Sequence, residues 1–475
     1  MNIKIKATFF GIFTFVSVSL AYGQNLPKAL LLTGNGNEPK VIEGYPPWIH
    51  EFHTEMVSEI LSNIVVTETT SDLGFLNDET LKDYDLIISY SLFLSPNKEQ
   101  LDALYDFISQ GKSLLTLHCG ILSFLNWDRY EEVMGGIFIG GPSSEPTRFN
   151  ISTTNMEFWG YDYSFRENEE HPVSKVVDDF EVEDELYYFQ PSTPEFEVIA
   201  RAENHPVMWW HPVGKGKVMS LTLGHGAQVK KEQGYRQLLE NGARWLLNFP
   251  LIKAPKLKPF STREKKYQNV LNLAEITYSN DSNLVFEISH NDDNLLPTTE
   301  RGFVDLEIGK KAGNFEFLVS ARNSNGFSTE NEIEAQIVED GDGNIASYYG
   351  NKVYSSSTEA KNILFDSKNV IDGNPTTRWA SDFVDPSWIM LDLQKTYEIG
   401  RIKLTWEDSY ATEYTLEISE NGENWNTIAD VLEGDGKTDE FKFKPEIARF
   451  VRVIGKKRFR PNYGYSIFEI EVYKQ

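Results

Sequence analysis

Between Lys28 and Pro250 short apolar runs alternate with stretches whose apolar residues recur every three or four positions. Few folds accept that alternation. Ala29-Leu30-Leu31-Leu32-Thr33 reads as a buried strand ended by Gly34-Asn35-Gly36-Asn37. Ile49, Phe52, Met56 and Ile60 predict a helix, and Ile64-Val65-Val66 and Leu86-Ile87-Ile88 predict further strands. Leu101, Leu104 and Ile108 mark a second helix, stopped by Gly111 before the strand Ser113–Leu117. Apolar strands alternating with helices predict a parallel sheet covered on both faces. In such sheets ligands sit beyond the carboxyl ends of the strands.

That rule selects His118, which directly follows Ser113–Leu117. The late strand Lys217–Leu221 delivers Gly224-His225-Gly226 to the same edge. Seven of the eight histidines lie between His50 and His225, so proton chemistry belongs to this part of the chain. With Glu185, from Asp184-Glu185-Leu186-Tyr187, His118 and His225 form a candidate acid–base set. Asp184 is expected to hold a histidine in one tautomer. His50, His171 and Trp209 are candidate substrate contacts, while His205 and His211 read as structural. His50, His118, His225 and Glu185 also have ligand chemistry, but no close-spaced motif such as H-E-x-x-H is present, so a catalytic metal stays open.

Composition narrows the partners. A chain of 475 residues predicts roughly three domains. A formal net charge of −26 repels nucleic acid and anionic membranes, and one cysteine, Cys119, makes no intramolecular disulfide. Lys4 and Lys6, the apolar run Ala7–Leu20 and Ala21-Tyr22-Gly23 read as a signal peptide over 1–23. Export to the periplasm or the extracellular space is therefore expected. No other segment is apolar and long enough to be a transmembrane span.

From about Pro255 the pattern turns to strands such as Leu284–Ile288 and Asn314–Val319. Glu339-Asp340-Gly341-Asp342-Gly343 reads as an acidic, flexible boundary before the last segment.

Several short motifs in order resemble the ThuA-like (trehalose-utilisation) domain, a relative of class I glutamine amidotransferases. They are Leu117-His118-Cys119-Gly120, His171-Pro172-Val173, Asp184-Glu185-Leu186-Tyr187, His205-Pro206-Val207-Met208-Trp209, Gly214-Lys215-Gly216-Lys217-Val218 and Leu223-Gly224-His225. The resemblance implies a flavodoxin-like α/β fold and an association with sugar metabolism. Amidotransferase kinship also implies a cysteine nucleophile. The glycines around Cys119 do not make G-x-C-x-G, however, and the late strand ends in Leu-Gly-His rather than Phe-His-Pro-Glu. Acid–base work by His118, Glu185 and His225 is therefore preferred.

Ala312–Glu339 resembles the end of an Ig- or cadherin-like module, which implies a spacer. Val370-Ile371-Asp372-Gly373-Asn374-Pro375-Thr376-Thr377-Arg378-Trp379, Trp388–Leu393, Tyr414–Ser419, Asn421–Trp425 and Phe468–Tyr473 resemble a discoidin (coagulation-factor type C) domain, a β jelly roll used as a carbohydrate-binding module. That resemblance implies a structural calcium at Asp372, Thr377 and Glu469. It also implies a loop-borne binding face with Arg458, Asn462, Tyr463 and Tyr465 as candidates, and Trp379 and Trp425 as core.

The expected organisation is a signal peptide (1–23), an α/β flavodoxin-like ThuA-like domain (24–252), an Ig/cadherin-like β module (253–340) and a discoidin-like jelly roll (345–475). The expected function is that of a secreted carbohydrate-active enzyme acting on an oligosaccharide or polysaccharide by His/Glu acid–base chemistry. Dehydration or elimination on a uronic or keto sugar, a lyase reaction, is favoured. Glycoside hydrolysis and non-catalytic glycan binding are the alternatives.

Overall fold

The computed structural model describes residues 26–38, 47–142, 145–153, 171–193, 195–202 and 205–474. The leader-like segment 1–23 lies outside them. The chain divides into two compact units. The first is Met1–Leu251 with Ser279–Leu284 and Arg322–Ser328; the second is Ile252–Tyr278, Val285–Ala321 and Thr329–Gln475. Among the described residues no helix is long and apolar enough to cross a membrane.

The strands of the first unit are β1 (Lys28–Asn35), β2 (Val66–Thr70), β3 (Leu86–Leu92), β4 (Ser113–Leu117), β5 (Gly136–Gly140), β6 (Thr147–Ser152), β7 (Phe180–Asp184), β8 (Tyr188–Pro191), β9 (Glu197–Ala202), β10 (His205–Val213) and β11 (Gly216–Leu221). Nine of them form one sheet in the order β2-β1-β3-β4-β11-β10-β9-β6-β7. The first five are parallel, as uninterrupted apolar runs such as Leu86–Ile88 require when both faces are covered. The remaining four extend the sheet antiparallel, so the sheet is mixed rather than purely parallel. β5 and β8 pair separately.

The helix Lys98–Ser109 starts where Asn97 and Gln100 form a capping box, and it buries Leu101, Leu104, Phe107 and Ile108. The first helix begins later than its apolar spacing predicts, at Thr54 with His53 as N-cap. Ile49 is exposed and Phe52 precedes the helix, because the apolar period runs on into the loop that carries His50.

In the second unit the strands Phe260–Ser261, Ser328–Val338, Gly313–Arg322 and Val285–His290 make one sheet. Lys266–Asn272, Phe303–Ile308 and Leu295–Glu300 make another. Phe260, Leu306, Phe317 and Ile333 belong to one core with both. A seven-stranded sheet follows, built on the long strands Ser387–Trp406 and Thr438–Arg458, with Trp379, Ile389, Tyr414 and Ile470 in its core.

The acidic stretch after Val338 is not the flexible boundary its composition predicts. Asp340 accepts hydrogen bonds from Tyr397 at 2.8 Å and Ser261 at 3.3 Å, and it pairs with Lys395. Arg263 donates to the Leu393 carbonyl at 2.8 Å and to the Tyr397 hydroxyl at 2.9 Å. One carboxylate of that stretch, Asp340, is thus taken up in tertiary contacts.

Candidate active site

The site forms where β4 and β11 end side by side, in parallel register from Lys217–Ser113 to Leu221–Leu117. The turn after β4 passes so close to β3 that a Cβ on Gly120 would lie 2.1 Å from the Ser89 carbonyl oxygen. This tight passage places His118 at φ 48°, almost wholly buried. Its Nδ1 faces the Thr222 carbonyl at 2.9 Å. A carbonyl only accepts, so Nδ1 carries the hydrogen and Nε2 is the nitrogen that faces the site, a lone pair in the neutral ring and a donor in the protonated one.

Three groups lie close to that nitrogen. The Tyr187 hydroxyl lies 3.2 Å away, His225 Nδ1 3.3 Å and Glu185 Oε2 3.4 Å. His50 closes the remaining side, its ring centre 5.0 Å from that of His118 and 5.2 Å from that of His225. Glu185 Oε2 is also 3.2 Å from His225 Nδ1. At 35% side-chain exposure against 12% for Glu185 and 1% for His118, His225 is the member that meets an incoming molecule first.

Burial alone would push the Glu185 carboxyl up, but hydrogen bonds and charge from His118 and His225 together hold it at about 2. Conversely, the hydrogen bond to Glu185 raises His225 above the ordinary imidazole value. His50 is pushed down to about 3, chiefly by burial and then by His118 and His225. The centre thus sets a carboxylate beside an imidazole whose protonated form it favours, with His50 held from its charged form.

The supports are backbone and hydrogen-bond work. Asn35, at the end of β1, grips the His50 backbone on both sides, donating to its carbonyl and accepting from its N–H, each at 2.9 Å. The His50 ring meets the Tyr90 hydroxyl at 3.3 Å. Asp184 does not hold a histidine ring, as the sequence led us to expect. Its carboxylate accepts the backbone N–H of Gly224 at 2.6 Å, of Glu185 at 2.9 Å and of His225 at 3.1 Å. Gly224 at φ 114° is a conformation that glycine adopts without strain. Buried Lys230 donates to the Gly224 carbonyl at 2.6 Å.

In the second unit Asp372 accepts from the Thr377 hydroxyl and from the Asn374 N–H, each at 2.8 Å. Burial, and then the neighbouring Asp372, raise the Glu469 carboxyl to about 8. Glu469 Oε1 is buried without a hydrogen-bond partner among the described residues. Two crowded carboxyl groups and an orphaned buried oxygen fit a hard cation, and these are the residues the sequence resemblance assigns to calcium. Both carboxylates also act on the ammonium of Lys258.

Residues 41–246 match the family model described as ThuA, trehalose utilisation, and residues 352–470 match the F5/8 type C domain. The chain pairs a ThuA domain with an F5/8 type C domain. A curated protein from Enterococcus faecalis, "Polysaccharide lyase 8 family protein HylA", is 28% identical over 118 residues, which is 23% of this chain and 8% of that protein. The chain therefore spans under a tenth of that relative. Two solved structures are chitosan-binding modules 1 and 2 of a chitosanase/glucanase from Paenibacillus sp. IK-5, the second in complex with chitotriose. They are 40% and 38% identical, each covers 27% of this chain, and the matches take in 98% and 99% of the modules, each at a TM-score of 0.26.

Within the ThuA domain the structure brings together His118, Glu185, His225 and His50. It places His171 and Trp209 elsewhere. His171 caps the short helix Pro172–Val176 and packs on Trp245 with ring centres 4.4 Å apart. Trp209 is fully buried, stacked on Phe189 at 4.2 Å. A histidine or tryptophan beside a strand reads the same whether it faces a cleft or the core. Tyr187 and Tyr90 went unassigned in sequence; the one available signal was the position of Tyr187 two residues after Glu185. Cys119 is buried and burial pushes its thiol up, which suits no nucleophile.

In the F5/8 type C domain Tyr463 is 52% exposed, beside exposed Phe383 with ring centres 6.4 Å apart. Asn462 is exposed on the same loop. Arg458 is spent on the loop itself, donating to the Pro461 carbonyl at 2.8 Å and to Asp385 at 3.1 Å. Tyr465 is buried and bonded to Asp385, so it belongs to the core with Trp379.

Proposed function

We propose that this protein is an exported glycan-acting enzyme whose ThuA domain moves protons on an oligosaccharide through His118, Glu185 and His225, while its F5/8 type C domain holds the glycan. The convergence of His225 Nδ1 and Glu185 Oε2 on His118 Nε2, in a ring oriented by the Thr222 carbonyl, carries this reading. The F5/8 type C match, the trehalose-utilisation description of the other family and the lyase name of the E. faecalis relative support the substrate class. The basic-then-apolar pattern of 1–23 supports export.

Elimination of water from a uronic or keto sugar suits this set. His118 Nε2 removes the proton beside the carboxylate or keto group. The electron pair of that C–H bond becomes the C=C bond as the neighbouring C–O bond breaks. The His225 imidazolium gives its proton to the departing hydroxyl, and water leaves. Glu185 favours the protonated form of His225 and balances the charge that then moves to His118. Hydrolysis ranks second, because glycosidases generally use two carboxylates and Asp184 is committed to three backbone N–H groups. Calcium at Asp372, Thr377 and Glu469 would brace the loops of the F5/8 type C domain and take no part in proton transfer.

The test is incubation with an oligosaccharide panel that includes uronic-acid and keto sugars, followed by mass spectrometry. Loss of one water identifies elimination, and cleavage with gain of water identifies hydrolysis. No change in any glycan, with retention on a glycan column, establishes the non-catalytic binder instead.

A further inference from the structure

Three imidazoles from three separate segments converge, and the outer contact of His118 is that of a ligand. We propose that His50, His118 and His225 bind one divalent transition-metal ion, with zinc as first candidate. One ligand nitrogen from each residue lies within 4.8 Å of the others. His118 Nε2 and His225 Nδ1 are 3.3 Å apart. Two nitrogens on a tetrahedral ion, each bound at about 2.0–2.1 Å, stand about 3.3 Å apart. The widest pair has to close onto a shared ion by about 1.5 Å or less.

The surroundings are already arranged. Metal-bound histidines characteristically donate their second ring N–H to a carbonyl or carboxylate, fixing the tautomer. His118 does so to Thr222 at 2.9 Å, which leaves Nε2 as its free donor atom. Asn35 fixes the His50 backbone, and Asp184 fixes that of His225. Glu185 Oε2, 3.4 Å and 3.2 Å from two of the ligand nitrogens, supplies negative charge beside the ion. Three nitrogens and one carboxylate select a zinc-like ion over calcium or magnesium, which take oxygen ligands. With three protein ligands the ion keeps an open position on the side where His225 is exposed.

This deepens the proposed function, since it rests on the same centre, and it reassigns the work. A proton and an ion compete for the His118 Nε2 lone pair. With the ion in place proton acceptance passes to Glu185, and the ion polarises the sugar oxygen.

The full chain is stripped with chelator, and excess calcium is then added to saturate the oxygen site at Asp372 and Glu469. Zinc is titrated by calorimetry, and cobalt(II) by visible absorption. One tight equivalent per chain is expected, with an intense cobalt spectrum of low coordination number. His50→Ala, which spares the proposed proton-transfer groups, His118→Asn, which tolerates a positive φ, and His225→Ala should each weaken binding at least tenfold with the circular dichroism unchanged. Absence of stoichiometric binding, or binding that survives all three variants, overturns the site. The two readings fail separately. Full turnover by the stripped protein removes the ion's part in the reaction and keeps the proton-transfer reading. Stoichiometric zinc with no action on any glycan removes that reading and keeps the metal site.

Discussion

The Asp184 carboxylate accepts the Gly224 backbone N–H at 2.6 Å, and so ties the end of β7 to the loop that carries His225. A buried carboxylate that satisfies three backbone donors is a structural clamp; burial raises its carboxyl against the pull of His118 and those donors. Asp184→Asn sets an NH₂ group against at least one N–H. We expect this to cost about 1–3 kcal/mol in urea unfolding. Turnover should fall at least tenfold as His225 shifts, with little change if the clamp does not position the site.

Histidine substitution separates the proton-transfer set from the buried thiol. Once an activity is found, His118→Asn and His225→Ala should each lower kcat by about a hundredfold or more with the fold retained. Cys119→Ser should lower it less than about threefold, since that thiol is buried and protonated. Loss of turnover in Cys119→Ser alone would return the chemistry to a cysteine nucleophile.

Calcium should raise the melting temperature of the full chain, because an ion that binds only the folded state shifts unfolding by mass action. Asp372→Asn and Glu469→Gln should abolish that rise. Glu469→Gln should also melt no lower than the parent in chelator, since it relieves the crowding of Glu469 against Asp372. Differential scanning calorimetry with and without calcium reads both effects.

His171 gives a pH dependence with a definite sign. Burial, and then the charge of Lys217, hold its imidazole at about 3, while the unfolded chain titrates near 6.5. The unfolded state therefore binds the proton first, and stability present above about 6.5 is lost as pH falls towards 3, a ceiling on the order of 5 kcal/mol. Urea unfolding at pH 7 and pH 5 should show a smaller loss in His171→Asn, which keeps an acceptor for the Val173 N–H at the N-cap. An equal loss in both proteins would exclude His171 as the source.

Glycan retention tests the exposed loop. Tyr463→Ala should reduce retention on an oligosaccharide affinity column several-fold, while Arg458→Ala should act through loss of stability, because that guanidinium holds its own loop. Retention unchanged in Tyr463→Ala would place the binding face elsewhere.

The sequence by itself placed His118 and His225 after two strands and left open whether they meet. Each follows a run that reads as a buried strand, and parallel strands put their carboxyl ends on one edge. It likewise determined the pairing of an α/β region with a β-rich C-terminal domain. Tertiary structure alone decided the rest. Glu185 follows an antiparallel strand whose place at the far edge of the sheet no period announces, and His50 belongs to a loop beyond its predicted helix. The tautomer of His118 depends on a carbonyl 104 residues away, and its contact with His225 spans 107. Whether His171 and Trp209 face a cleft or the core, and whether Asp340 is free or clamped, is likewise set by what packs against them. Local sequence encodes period and turn; the distance between side chains far apart in the chain exists only once the sheet has brought them together.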